Sequence, residues 1–338
     1  MDFSFLKEKD YDFLKDVKDR IMLLTIGGSH AYGTNVNTPE HVSDIDLRGI
    51  MFDSSDDILL KKEPFQLNDT KTDSVIYTFN KIVRLFIECN PNTIELLGNE
   101  PEDYCYIHPL GQLLLDNKKA FLSKRALLSF AGYSNQQLNR LENALARDSL
   151  SQKKKEEHIL NSVKSAMLTI NDRYRSFDGS SMKLYIDKSD KEKYDTEIFI
   201  DIDLKHYPLR DLNGIWNEFV SIPRQYEKVN HRNRKKDDVH LNKHAMHLIR
   251  LYFTLIDILK DGEIRTKRVE EKDLLLDIRN GYFMNSDGTY SSEFFELKRE
   301  LDTKVKELEK VTKLPEQADM KTIEEIIKKV NRYIIANY

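Results

Sequence analysis

Two short stretches of the chain bring together residue types that can do chemistry. The first is Gly27-Gly28-Ser29-His30-Ala31-Tyr32-Gly33-Thr34, and the second is Ser43-Asp44-Ile45-Asp46-Leu47-Arg48-Gly49. A Gly-Gly-Ser turn opens backbone N–H groups and adds a hydroxyl, which together can hold the oxygens of a triphosphate. Asp44 and Asp46 are two apart, so on a strand both carboxylates project from one face. Two convergent carboxylates hold hard cations such as Mg²⁺ (or Mn²⁺) through oxygen. A pair of such ions about 3.5–4 Å apart activates an attacking oxygen and steadies a leaving pyrophosphate. Arg48, next along the same face, is a fork donor able to neutralise phosphate charge. A third carboxylate from a neighbouring strand usually completes a site of this kind. Asp73 stands where the next strand should begin and is the choice, with Asp69 as its competitor. Neither motif means much alone, since Gly-Ser turns and Asp-x-Asp pairs are common. Here the turn precedes the carboxylates by about 15 residues, across a loop rich in Asn, Thr and Pro.

Particular elements must position these groups. Ile21 to Ile26 is an apolar run ending at Gly27-Gly28, which predicts a buried strand meeting a tight turn. Ser43 to Phe52 alternates, with Ile45, Leu47 and loosely Ile50 on one side and Asp44, Asp46 and Arg48 on the other, predicting a strand with a polar working face. Asp73 to Tyr77 is a third candidate strand. Phe3 to Lys18 reads as an amphipathic helix through Phe3, Leu6, Tyr11, Leu14 and Val17. Helices are expected from Lys81 to Ile87 and from Asn92 to Leu97, the latter entered by Pro91. Beyond residue 115 the chain reads as mainly helical: Leu122 to Arg147, Gln152 to Arg175, Leu209 to Tyr226, Leu241 to Lys260, Ser291 to Val311 and Met320 to Asn337. Lys183 to Ile186 and Glu197 to Leu204 interrupt this half and predict a hairpin insertion.

Composition narrows the setting. The chain has 338 residues, enough for two domains. Its 53 basic and 57 acidic residues leave a net charge of -4, so any nucleic-acid contact must be a local patch rather than a wholly basic molecule. Cys89 and Cys105 form no CxxC pair and have no histidine at ligand spacing, which argues for free thiols rather than zinc. No run approaches the roughly 20 apolar residues that cross a bilayer, and residues 1–10 lack a signal-peptide core. A cytoplasmic protein with no membrane partner is expected.

The pattern Gly28-Ser29-x-Ala31-Tyr32-Gly33-Thr34 followed by Ser43-Asp44-x-Asp46-Leu47-Arg48-Gly49 resembles the DNA polymerase β nucleotidyltransferase superfamily, and within it the RNA-repair-associated RlaP family. Asn90-Pro91-Asn92-Thr93-Ile94-Glu95-Leu96-Leu97 resembles a further segment of that family. So do Lys243-His244-Ala245-Met246-His247-Leu248-Ile249-Arg250-Leu251, Gly262-Glu263-Ile264 and Ile278-Arg279-Asn280-Gly281. The resemblance implies an α+β fold: a small mixed-sheet, palm-like nucleotidyltransferase domain over 1–115, then a mainly helical domain over 116–338 that closes the cleft. It implies transfer of a nucleoside monophosphate from an NTP to a hydroxyl, with release of pyrophosphate. Gly28 and Ser29 would bind the triphosphate, and Asp44 and Asp46 the metal. In some relatives an acidic residue stands at the position of Thr78.

Other residues keep two readings open. Tyr32, His244 and Arg250 are candidate nucleotide contacts; His244, His247 and Arg250 either face the cleft or cap an apolar helix stripe. His30 either approaches phosphate or points away. Tyr133, with Gln136 and Asn139, either lines the cleft or packs. Asp201 and Asp203 read as a solvated strand edge. Lys228 to Lys236 is the densest basic run and either tracks an RNA backbone or is a solvated loop, blunted by Asp237 and Asp238. The acceptor is therefore RNA or tRNA, as the family name implies, or a protein or small molecule, which the acidic net charge suits better. A third possibility is an inactive nucleotide-binding module.

Overall fold

In a computed structural model the described residues are 4–36, 43–134, 157, 182–188, 196–203, 209, 216, 238–286 and 289–338. Ile21–Ile26 forms β1, and all six of its residues are buried. An apolar run of this kind suits a strand covered on both faces. β1 lies inside a five-stranded sheet with β2 (Leu47–Met51), β3 (Gln66–Asp69), β4 (Ser74–Thr78) and β5 (Tyr104–Ile107). The order is β3-β4-β2-β1-β5. β1 runs antiparallel to β2 and β5, β2 runs parallel to β4, and β3 and β4 form a hairpin. The sheet is thus mixed, and the described residues after it are mostly helical, so the α+β expectation holds.

The two faces of the sheet bury different partners. Leu24, Leu47, Met51 and Ile76 pack with Tyr11, Phe5, Leu6, Phe13, Leu14 and Val17. The expected helix over Phe3 to Lys18 is instead three 3₁₀ stretches, Ser4–Lys7, Lys9–Asp16 and Lys18–Arg20. Tyr11, Leu14 and Val17 recur every third residue, which suits three residues per turn better than 3.6. The opposite face carries Leu23, Ile50, Phe52 and Tyr77 against Phe79, Val83 and Phe86 of α3 (Phe79–Ile87). Ile50 therefore lies on the Arg48 side of β2 by the two-residue period, not on the Leu47 side.

The apolar stripes of later helices join this second cluster. The next elements are α1 (Gly28–Tyr32), α2 (Ser55–Leu59), α4 (Pro91–Ile94), α5 (Pro109–Asp116) and the helical residues 125–134, or α6. Then come α7 (Asp238–Asp261), α8 (Lys272–Arg279), α9 (Ser292–Val311) and α10 (Met320–Asn337). Leu251, Leu255 and Ile258 of α7 lie in the cluster, as do Ile323, Ile326, Val330 and Ile334 of α10. Each such buried aliphatic side chain contributes about 1.5–3 kcal/mol. Asp319 caps α10 by accepting from the Thr322 N–H at 3.2 Å.

Contacts group the chain into two compact units. One comprises 1–137, 246–280 and 293–338; the other comprises 138–245 and 281–292. The second contains the expected hairpin, β6 (Met182–Lys188) and β7 (Thr196–Ile202), paired antiparallel from Met182↔Ile202 to Lys188↔Thr196. The helices expected at 152–175 and 209–226 lie outside the described residues, apart from Glu157, Leu209 and Trp216.

Candidate active site

The turn after β1 is built by two glycines with different tasks. Gly28 has φ +58°, a conformation open to glycine and strained for other residues. A Cβ on Gly28 would fall 1.7 Å from Asp46 Oδ2, and one on Gly27 would fall 2.7 Å from Arg48 Cγ. The absence of side chains at 27 and 28 is what lets the Asp46 and Arg48 side chains cross the turn. The Gly27 N–H donates to the Asp46 carbonyl at 2.8 Å, joining the two motifs through backbone. Gly33, with φ +74°, ends α1, and the Thr34 N–H closes on the Ser29 carbonyl at 2.9 Å.

Asp44 and Asp46 lie in the segment leading into β2, not on the strand, which starts at Leu47. Their neighbours hold that segment. The Tyr11 hydroxyl donates to the Ile45 carbonyl at 2.9 Å, the buried Ser43 hydroxyl bonds Val36 at 3.0 Å, and His30 Nε2 sits 3.1 Å from the Ser43 carbonyl. His30 thus engages the loop backbone. Asp44 is exposed and Asp46 half-buried. Asp73 is in the turn between β3 and β4, ahead of the strand, with φ +50° and an exposed side chain. Arg48 reaches it twice, donating to its carbonyl and approaching its carboxylate at 3.7 Å. Asp69 is used differently: its carboxylate accepts from the Thr72 N–H and hydroxyl, both at 2.8 Å. The Thr72 N–H holds that carboxyl below the usual carboxylate range. Thr78 donates its hydroxyl to the Phe65 carbonyl at 3.0 Å. Asp201 is exposed on β7 and accepts from the Tyr185 hydroxyl at 3.3 Å. Among the described residues no three His, Cys, Asp or Glu side chains gather as a ready metal cage.

Behind the turn lies a buried ionic cluster, of which the sequence motifs carry only a part. The Arg250 guanidinium lies 3.7 Å from the centroid of the Tyr32 ring and is ion-paired with Glu95. His247 meets the same ring edge-on, with centroids 6.1 Å apart. Burial pushes the Tyr32 phenol above its ordinary range, and the Glu95 carboxylate adds to that. The local signal for Glu95 is a lone charge inside the apolar run Ile94-Glu95-Leu96-Leu97. A small cavity of about 20 Å³ is lined by Gly27, Gly28, Arg48, Glu95, Asn99 and Thr266 together with apolar neighbours such as Ala31 and Leu96. It has room for about one water.

Residues 6–167 match the family described as the RNA repair pathway DNA polymerase beta family. This stretch, just under half of the chain, is similar to the RlaP family. No curated protein and no solved structure matches the chain. The match agrees with the resemblance carried by the two motifs, and the family's description suggests nucleotidyl transfer as the chemistry.

Within the RlaP segment, Tyr133 accepts from the Asn92 amide at 2.8 Å, while Gln136 and Asn139 lie outside the described residues. Beyond it, His244 is half-buried on the part of α7 that groups with the second unit. The basic run Lys228 to Lys236 lies outside the described residues. Cys89 and Cys105 are free, and burial pushes the Cys105 thiol up to about 12. Among the described residues no helix is long and apolar enough to cross a membrane.

Proposed function

We propose that the chain is a metal-dependent nucleotidyltransferase that moves a nucleoside monophosphate from an NTP to an acceptor hydroxyl and releases pyrophosphate. The observation that carries this reading is the apposition of Gly28 and Asp46, which sets a glycine-serine turn directly against a carboxylate of the Asp-x-Asp pair. The turn is suited to the triphosphate and the carboxylates to a cation.

The donor set fits a hard divalent cation. Mg²⁺ keeps several waters and takes one or two protein carboxylates plus substrate phosphates, so Asp44 and Asp46 suffice, and the exposure of Asp44 leaves it accessible. Such an ion, when bound, neutralises phosphate charge and lowers the barrier to attack at the α-phosphorus. Asp73 is the residue available to add a third carboxylate. Gly28 and Ser29 bind triphosphate oxygens, and Arg48, oriented by Asp73, donates toward the phosphates. Tyr32 and Arg250 support the turn from behind. The chain's own work is positioning and charge neutralisation, which supply most of the catalysis in phosphoryl-type transfer.

The acceptor is proposed to be RNA or tRNA, on the strength of the RNA-repair association in the family's description. The test is Mg²⁺ with each α-labelled NTP in turn and pooled RNA, beside an Asp46→Asn control. Label on RNA that depends on Asp46 supports the proposal. Pyrophosphate release without labelled RNA moves the acceptor to a protein or small molecule.

A further inference from the structure

Tyr32 is gripped at two points, and the two grips converge. Its carbonyl accepts from the Arg268 N–H at 3.0 Å, and its ring lies beneath the Arg250 guanidinium. The Thr254 hydroxyl donates to the Arg250 carbonyl at 3.1 Å and accepts from Arg268 Nη2 at 3.0 Å. Arg268 Nη1 is fixed by Asp257 at 2.6 Å. The Glu95 carboxylate holds Arg250, while the Glu95 carbonyl accepts from the Thr266 hydroxyl at 2.8 Å. The contacts form a closed ring that runs from Tyr32 through Arg268, Thr254 and Arg250 back to the Tyr32 ring, with Glu95 as the anion on Arg250 and Asp257 as the anion on Arg268.

This cluster is a poor device for stability alone. Arg250 and Glu95 are 4% and 5% exposed. Removing such charges from water offsets most of their attraction unless every hydrogen-bonding group is satisfied. Among the described residues, the buried Nε atoms of both Arg250 and Arg268 have no hydrogen-bond partner. What the cluster does supply is direction, because a guanidinium stacked on an aromatic face and anchored by a carboxylate fixes the ring's place. Tyr32 ends the same short helix that contains Ser29, so fixing its ring fixes the turn.

We propose that Glu95 is a positioning residue: by holding Arg250 over Tyr32 it keeps Gly28 and Ser29 at one spacing from Asp46. Its catalytic consequence rests on the reading of Gly28 and Ser29 as the triphosphate-binding turn.

Three variants of the full chain test this: Glu95→Gln, Arg250→Met and the double variant Glu95→Leu/Arg250→Met. Two readouts are needed, amide hydrogen exchange over 27–34 without nucleotide, and KM and kcat for the NTP with Mg²⁺. In Glu95→Gln, exchange over 27–34 should accelerate about tenfold while the β3–β4 hairpin is unchanged. KM should rise about tenfold, with a smaller effect on kcat. The double variant removes both charges together, so it should recover the thermal stability lost by either single variant. It should recover neither the turn's protection nor KM, and it carries both readouts if a single variant fails to fold. Unchanged exchange in Glu95→Gln, or a double variant that regains protection and KM with its stability, overturns the proposal. A wild-type chain that consumes no NTP defeats the nucleotidyltransferase reading instead, and exchange still decides the role of Glu95.

Discussion

The first side-chain carbon of any residue placed at Gly28 would lie 1.7 Å from an Asp46 carboxylate oxygen. Position 28 also has φ +58°. The close approach and the backbone conformation are separate demands, and glycine meets both.

Gly28→Ala should therefore fail twice. The left-handed conformation costs about 1–2 kcal/mol for an alanine, and the methyl group must displace Asp46. Chemical denaturation should show a loss of at least that size, together with a fall in NTP turnover larger than the stability loss explains. A variant of wild-type stability and activity would show that Asp46 has no fixed place beside the turn.

Asp44→Asn and Asp46→Asn each keep the side chain's shape while removing an anion. Transfer should drop by about 100-fold or more, in the range seen when one preorganised charge-stabilising group is lost. Circular dichroism and thermal melting should stay close to wild type for Asp44→Asn, because Asp44 is exposed. Full activity in either variant would remove the metal-site assignment.

Ser29→Ala removes one hydroxyl beside the glycines. A hydrogen bond to a charged group contributes about 1.5–3 kcal/mol, so KM for the NTP should rise by roughly tenfold or more. Steady-state kinetics over a range of NTP concentrations measure this, and an unchanged KM would exclude Ser29 from triphosphate binding.

Asp53 supplies a pH test of the fold. It is buried, and its Oδ2 accepts from the Asn80 N–H and amide at 3.0 Å. Burial raises its pKa, and the Asn80 hydrogen bonds only partly oppose that. A raised folded-state pKa means that the native chain binds the proton more tightly than the unfolded chain. That stability is complete below the unfolded carboxylate's pKa and is lost as pH rises through the folded value. Asp53→Asn removes the loss, so its Tm should exceed that of the wild type at neutral pH, with the advantage shrinking toward acid pH. A Tm deficit at neutral pH would mean that the charged form is favoured in the fold.

The parts of this fold legible in sequence are those whose signal is local. β1, its glycine turn and the helix at Met320–Asn337 are set by apolar runs, glycines and a cap within a few residues. The entry to β2 is not: Asp44 to Leu47 alternates as a strand does, yet only Leu47 onward pairs with β1. β3 and β5 are four residues each and carry weak alternation, so pairing with β4 and β1 rather than pattern defines them. The stripes of α7 and α10 predict helices but not that both pack with the face of the first sheet, because a long-range contact leaves no period in the sequence. The candidate site divides in the same way. Gly28, Ser29, Asp44 and Asp46 declare themselves by type and spacing. The pairing of Glu95 with Arg250 joins residues 155 apart and becomes visible only when the chain is folded.

The most direct test of nucleotidyl transfer follows the two ends of one NTP. The protein is incubated with Mg²⁺, acceptor RNA and the NTP labelled at either the α or the γ phosphate, beside Asp46→Asn. Nucleotidyl transfer puts α-label on the acceptor and γ-label in pyrophosphate, with both absent for Asp46→Asn. Gamma-label on the acceptor or in inorganic phosphate, or transfer that survives in Asp46→Asn, would contradict it.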